Sequence, residues 1–230
     1  MSSIDMLDPP VDEPPVAAPS ARAERRTGAG SAGLRLVRLH LASRRVPSAL
    51  AVLAVCALIL QVALRWHWGA QGGPGVQQLL PLVVESAAAA IITATASSPF
   101  GESERTGGRW LPLLRLGTVA ALVATAIAVL AGASAGTLLT GGLLDVLRNT
   151  AGFVGLGLLC AAVLGGALAW VGPLAYLAVA EFALAENWTT PWVWPARPSH
   201  DLGAALCAAT VCAAGALVLT LRGARDSARE

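Results

Sequence analysis

Six apolar runs, separated by short polar or glycine- and proline-rich segments, dominate this chain. Five of them have the roughly 17–25 residues that an α-helix needs to cross the ~30 Å hydrocarbon core of a bilayer. Only 13% of the 230 residues are charged, whereas soluble domains average about 25%. The pattern predicts an all-α integral membrane protein with about six transmembrane helices, because a membrane β-barrel would show short alternating segments instead. The runs cover approximately residues 48–64, 76–96, 113–131, 150–170, 174–185 and 202–221.

The fifth run, residues 174–185, is shorter than the others and follows Gly172 and Pro173, which predict a break in the chain. A helix of that length covers only ~18 Å, less than the hydrocarbon core. Residues 186–201 then gather three tryptophans and three prolines, which favours a stiff segment at a membrane interface. We therefore expect a short fifth span and a re-entrant or interfacial element before the last span, with any irregular backbone shielded by protein or water.

The distribution of arginine predicts the topology, because all sixteen basic residues are arginines. With six spans, thirteen of them fall on one side: before the first span, between the second and third, and at the C-terminus. Arg65, Arg148 and Arg197 fall on the other side. The positive-inside rule then places both termini in the cytoplasm, whereas a five-span topology would put the basic C-terminus outside.

The two ends of the chain are expected to lie outside the helix bundle. Residues 1–33 combine acidic residues, prolines and small residues, a composition too polar to bury a core, and predict a disordered tail. Residues 34–45 are basic and apolar, and form either an interfacial helix on the anionic inner leaflet or a basic flank without a defined shape. The predicted transmembrane domain thus covers residues 34–222, and a cytoplasmic tail covers 223–230.

Charged residues within the apolar part are few. Glu85 lies near the middle of the second run and Glu181 lies in the fifth. A carboxyl at bilayer depth is costly and usually faces the protein interior. Glu85 is therefore either a protonated, hydrogen-bonded packing residue or a residue that lines a pathway, and the sequence leaves both open. Asp145 and Arg148 are three residues apart on a predicted short helix, residues 143–149, and can form a pair on its polar face.

No sequence pattern indicates a catalytic, cofactor or metal site. There is no phosphate-binding GxxxxGK[ST] loop and no HExxH motif. The four cysteines lie inside apolar runs, where cysteine behaves as a small buried hydrophobe. Arg197, Ser199, His200 and Asp201 superficially resemble a phosphatase motif, but its second histidine and basic partner residues are missing. The net charge of +2 is too small to indicate nucleic-acid binding.

The longest polar interruption between two apolar runs is residues 97–116, SSPFGESERTGGRWLPLLRL, which the topology places in the cytoplasm. It offers both signs of charge to a partner, together with a tryptophan of the kind enriched in interface hot spots. A partner-binding loop and a solvated connector both fit these features. Its candidate contact residues are Glu102, Glu104, Arg105, Arg109 and Trp110.

This loop resembles the loop between the second and third spans of type-2 ABC export permeases, the membrane subunits of ATP-driven exporters. The similar pattern is an acidic residue with arginine, then a glycine, then leucine with proline. Here these are Glu104 with Arg105, one of two glycines, and Leu111 with Pro112. The predicted topology is also similar to that family. The shared features are six spans with both termini inside, a basic interfacial helix, a tight turn between spans four and five, and a re-entrant element before the last span.

The resemblance implies a permease in the bacterial cell membrane whose loop contains a coupling helix that seats in a groove of a separate ATP-binding cassette subunit. Two copies, or one copy with a related chain, would form the pathway, and Glu85 and Glu181 would line or gate it. ATP hydrolysis would then belong to the partner, and this chain would be no enzyme. Two other readings stay open: a non-transporting multi-pass membrane protein with an assembly, immunity or anchor role, and a membrane-embedded hydrolase.

Overall fold

The computed structural model describes residues 45–65, 74–95, 111–135 and 142–222, and the regular secondary structure in these ranges is helical. Two 3-10 turns, Gly166–Leu168 and Trp194–Ala196, precede the last two helices. The predicted tails, the helix at 34–45 except for its last residue, and loop residues 97–110 lie outside the described residues. The six helices within the described ranges are α1 (Val46–Arg65), α2 (Pro74–Thr95), α3 (Leu111–Ser134), α4 (Gly142–Val163), α5 (Val171–Ala185) and α6 (Leu202–Arg222).

Five helical segments in the described part of the chain are long and apolar enough to cross a membrane. The helix α2 is also 22 residues long and contains Pro81, and its described apolar stretch, Leu79–Thr95, is shorter than the other segments. The all-α class is confirmed, and the helices fit a multi-pass membrane protein. The five segments are Val46–Arg65, Leu116–Ser134, Gly142–Val163, Gly166–Ala185 and Leu202–Arg222.

The prediction of a short fifth span was wrong. The 3-10 turn leads directly into α5, so that Gly166–Ala185 forms a 20-residue apolar segment. Gly172 and Pro173 do not break the chain, because they lie in the first turn of α5. The backbone N–H groups of a first turn have no partner within the helix, and a proline there removes no hydrogen bond.

The predicted short helix 143–149 is the beginning of α4, a single helix that ends at Val163 rather than at residue 170. The helix stops before Gly165, whose φ of 100° lies in the region that favours glycine. The chain then turns through Gly166–Leu168 into α5. A short turn between α4 and α5 is thus present.

The helix α4 occupies the centre of the packing. It contacts α2, α3, α5 and α6, and its packing against α6 is the most extensive between described helices. The contact with α6 depends on small residues, because a Cβ atom added at Gly155 would lie 2.6 Å from the backbone Cα of Cys212. Gly215 likewise packs directly on the backbone carbonyl of Gly155. Such close backbone approach is typical of membrane helices with small-residue faces.

The helices α2 and α4 run parallel and in register. Gly157 lies against the side chain of Thr93, and Asn149 lies against Glu85. Both pairs are separated by 64 positions in the chain, so the alignment holds over about two helical turns. This register places the middle of α2 beside the N-terminal part of α4.

The helix α5 runs antiparallel to α4, since Gly172 contacts the carbonyl of Leu156 while Tyr176 contacts Phe153. These directions agree with a chain that alternates between the two ends of the bundle. Residues 186–201, called the outer segment below, connect α5 to α6 at the end of the bundle where α4 begins.

Candidate functional site

Glu85 lies near the middle of α2, about 16 Å along the helix from Pro74. Its side chain is 2% exposed, and the Asn149 side chain of α4 lies against the carboxyl. Its second oxygen, Oε2, has no hydrogen-bond partner within the described residues. Glu85 therefore faces the interior of the bundle, as the cost of exposing a carboxyl to lipid requires.

Arg148 is buried at the N-terminal end of α4, and its guanidinium joins the helix to the outer segment. Nη1 donates a hydrogen bond of 2.8 Å to the carbonyl of Pro198, and Nη2 donates one of 3.1 Å to the carbonyl of Arg197. Nη2 also lies 2.8 Å from Oδ1 of Asp145, which confirms the predicted pair. This contact is an ion pair by distance, since Oδ1 accepts no directed hydrogen bond. Nε lies 3.5 Å from Oδ1 of Asn149.

A chain of polar contacts thus leads from the middle of α2 to the end of the bundle. Asn149 touches the Glu85 carboxyl on one side and the Arg148 guanidinium on the other. Arg148 is 3% exposed, whereas its partner Asp145 is 30% exposed. This series of polar contacts therefore begins at the fully buried carboxyl of Glu85 and ends at the Asp145 carboxylate, which reaches the surface of the described bundle.

The outer segment begins with a regular helix C-terminus. Asn187 adopts a φ of 54° directly after α5, and the N–H of Trp188 donates a 2.9 Å hydrogen bond to the carbonyl of Ala183. This is the Schellman arrangement, which satisfies the last carbonyls of a helix and reverses the chain. The segment is consequently directed back over the helix ends.

Trp194 holds the outer segment against the bundle. Its indole stacks on the ring of Tyr176 at a centroid distance of 4.3 Å, and the Tyr176 hydroxyl donates a 2.7 Å hydrogen bond to the carbonyl of Trp192. Gly152 of α4 makes room for the indole, because a Cβ atom there would lie 2.5 Å from Cζ2 of Trp194. The aromatic contacts and the Arg148 hydrogen bonds anchor the same segment at two points.

The three tryptophans of the outer segment do not form the single interfacial cluster that the sequence indicated. Trp188 and Trp192 are exposed and meet edge to face at 5.8 Å. Trp194 is 2% exposed and packs with Ala204 and Ala208 of α6. The expected re-entrant or interfacial element before the last helix is, in the structure, a folded loop with one 3-10 turn.

Asp201 closes the outer segment and starts α6. Its Oδ1 accepts a 3.1 Å hydrogen bond from the N–H of Ala204, as an N-cap residue does. Nε and Nη2 of Arg197 both lie 2.6 Å from its Oδ2. The Ala204 N–H and the Arg197 guanidinium hold the pKa of Asp201 below its usual range. The charged residues of the phosphatase-like pattern are thus paired with each other.

We expect acid to weaken this corner of the molecule. Because the folded-state pKa of Asp201 is lowered, its stabilising contribution is complete above the unfolded-state pKa of about 3.9 and is lost as the pH falls through the folded-state value. The unfolding temperature of the wild-type protein in detergent should therefore decrease more steeply below about pH 4 than that of Asp201→Asn, which keeps a capping oxygen but no charge. If the unfolding temperatures of the two proteins depended equally on pH, the Asp201 carboxylate would not be the group that stabilises this corner.

The structure does not bring the second predicted intramembrane carboxylate into this cluster. Glu181 is half-buried on α5, and no hydrogen bond or ion pair involves its side chain in the described part of the chain. The five predicted partner-contact residues of the loop, Glu102, Glu104, Arg105, Arg109 and Trp110, lie outside the described residues. Their role stays a prediction.

Several residues of the site were not singled out from the sequence. Asn149, Ser86 and Thr150 are polar residues within or beside apolar runs, and nothing local indicates that they meet at one depth. Tyr176 is the only tyrosine of the chain and lies in the middle of an apolar run. Tyr176 could have been marked as a candidate contact residue from the sequence, because a buried tyrosine hydroxyl usually finds a hydrogen-bond partner.

No known protein family, curated protein or solved structure matches this chain.

Proposed function

We propose that this protein is the membrane-spanning permease subunit of an ATP-driven exporter, coupled through residues 97–116 to a separate ATP-binding cassette subunit. It spans the bacterial cell membrane six times, with both termini in the cytoplasm, and works as a homodimer or with a related chain. The proposal is carried by one observation, the pattern of Glu104 with Arg105 and a glycine between α2 and α3, followed by Leu111 with Pro112 at the start of α3.

The arrangement of the helices supports this position for the loop. The helix α2 ends at Thr95 and α3 begins at Leu111, so residues 96–110 connect consecutive apolar helices. A short turn joins α4 to α5, and a folded loop precedes α6. Both features occupy the positions at which type-2 ABC export permeases have a tight turn and a re-entrant element.

The positions of two arginines support the proposed topology. The six-span arrangement assigns Arg148 and Arg197 to the same, non-cytoplasmic side. In the structure the Arg148 guanidinium donates to the carbonyl of Arg197, so both residues lie at one end of the bundle. Each is also paired with a nearby carboxylate, Asp145 or Asp201.

The alternative is a non-transporting multi-pass membrane protein with an assembly, immunity or anchor role. Such a protein would use the same helix packing and would leave residues 97–116 as a connector. The two functions differ in one measurable property, the presence of an ATP-hydrolysing partner.

The experiment is an affinity purification of the tagged full-length protein from its native host in mild detergent, with co-purifying chains identified by mass spectrometry. We expect a soluble ATP-binding subunit with the wild-type protein. The double substitution Glu104→Ala and Arg105→Ala should remove this subunit and the stimulated ATPase activity, because it deletes the charged pair of the coupling pattern. The yield and unfolding temperature of the permease should not change.

Glu186→Ala is the matched control, since Glu186 is an exposed acidic residue at the proposed outer side of the bundle. It should leave the ATP-binding subunit attached. Recovery of the wild-type protein without any ATPase would favour the non-transporting alternative. An ATPase that stays bound and stimulated in the double variant would show that another surface makes the contact.

A further inference from the structure

Polar atoms without partners are concentrated at the depth of Glu85. Oε2 of Glu85, Oγ of Ser86 and Oγ1 of Thr150 have no hydrogen-bond partner among the described residues. These residues are 2%, 0% and 0% exposed, respectively. Ser86 and Thr150 directly follow Glu85 and Asn149, so the register of α2 and α4 places them at one level. Buried polar groups normally have partners, and this level therefore needs one more hydrogen-bonding species.

The charges near Glu85 leave one negative charge without compensation. Asp145 and Arg148 of α4 are the titratable groups that act on Glu85, and they are paired with each other. Among the described residues, the groups that act on Glu85 all lie on α4, and His200 of the outer segment acts on Asp145 rather than on Glu85. An ionised carboxylate at this depth without a cation is strongly disfavoured.

We propose that Glu85 is a proton-binding site that exchanges its proton with the outer end of the bundle along water admitted past Asn149 and Arg148. The proton supplies the missing positive charge and turns Oε2 into a donor at a level where hydroxyl oxygens lack partners. On release, the Oε2–H bond breaks, its electron pair stays on the carboxylate, and the proton passes to a water molecule. The site is independent of the proposed ATPase contact.

The route of exchange follows from the polar contacts. Asn149 lies between the Glu85 carboxyl and the Arg148 guanidinium, and the Asp145 side chain beside Arg148 is 30% exposed. Arg148 holds the outer segment by two carbonyl hydrogen bonds. Separation of these bonds would admit water to Asn149, and then to Glu85.

The first test uses the purified full-length protein in lipid vesicles and dicyclohexylcarbodiimide, an apolar reagent that modifies protonated carboxyls at bilayer depth. Peptide mass spectrometry should find Glu85 modified at neutral pH, with labelling that falls about tenfold per pH unit once the carboxyl ionises. Glu85→Gln should lose this label. Glu181→Gln is the matched control and should keep it.

The second test measures exchange by infrared spectroscopy of the same vesicles. Protonated Glu85 should give a carboxylic C=O band that is absent in Glu85→Gln and shifts when the medium is replaced by D₂O. Asn149→Leu, which keeps the side-chain size but removes the polar link, should slow this shift.

Three results would overturn the proposal. Absence of both the label and the band at every pH would show an ionised carboxyl. Labelling that sodium ions block, and alkaline pH does not reduce, would identify a metal-cation site instead. A band that never shifts in D₂O would show a static packing proton.

Discussion

Replacement of Arg148 by leucine should destabilise the protein by about 1–3 kcal/mol, the usual cost of leaving hydrogen-bonding groups inside a protein without a partner. The substitution leaves the Asp145 carboxylate without its cation, and it leaves the carbonyls of Arg197 and Pro198 without their donor. We expect a lower unfolding temperature in detergent, and we expect the outer segment to detach from α4 before the helices separate.

Cys207 can report this detachment, because it is half-buried against the cluster in which Trp194 of the outer segment packs on Ala204 and Ala208 of α6. Its alkylation by a thiol reagent should become faster in Arg148→Leu, whereas alkylation of buried Cys56 should not change. Arg222→Leu, at the exposed end of α6, is the matched control for loss of an arginine.

A double substitution separates the lost pair from general damage. Asp145→Leu combined with Arg148→Leu removes the carboxylate that Arg148→Leu leaves unpaired, so the double variant should be more stable than the single Arg148 variant. If Arg148→Leu unfolds at the wild-type temperature with unchanged Cys207 alkylation, the contact between α4 and the outer segment is not the anchor described here.

Features that depend on nearby residues could be predicted from the sequence. The apolar runs indicated α1, α2 and α6 within a few residues, because a membrane-spanning helix must be apolar over a length set by the bilayer. The pairing of Asp145 with Arg148 followed from the helical spacing of three residues. The interior position of Glu85 followed from the cost of exposing a carboxyl to lipid.

Features that depend on contacts between distant residues could not be predicted from the sequence. The contact of Glu85 with Asn149 and that of Arg148 with Pro198 join residues far apart in the chain, and no local pattern records the register of two packed helices. Glu85 and Glu181 looked equivalent in sequence, yet only Glu85 lies beside the polar end of α4. Gly172 with Pro173 was interpreted as a break, although the same residues are compatible with the first turn of a helix.

Gly155→Ala should destabilise the bundle by about 1–3 kcal/mol, the usual cost of inserting a methyl group into a well-packed site. The added Cβ would lie 2.6 Å from the backbone N and Cα of Cys212. Backbone atoms of a packed helix cannot rotate away as a side chain can, so α4 and α6 would have to separate. Unfolding of the detergent-solubilised protein, monitored by helical circular dichroism, measures the effect.

Two other glycines provide matched controls for the same chemical change. Gly157→Ala meets the buried side chain of Thr93, whose Cβ at 2.9 Å cannot rotate away, and should also destabilise the bundle. Gly117→Ala on α3 meets nothing within 4 Å and should be neutral or stabilising by up to about 1 kcal/mol, since alanine favours helix over glycine. Greater damage in the Gly155 variant than in the Gly117 variant is what direct backbone contact between α4 and α6 requires. Equal unfolding temperatures for the Gly155 and Gly117 variants would mean that these two helices do not touch at Gly155.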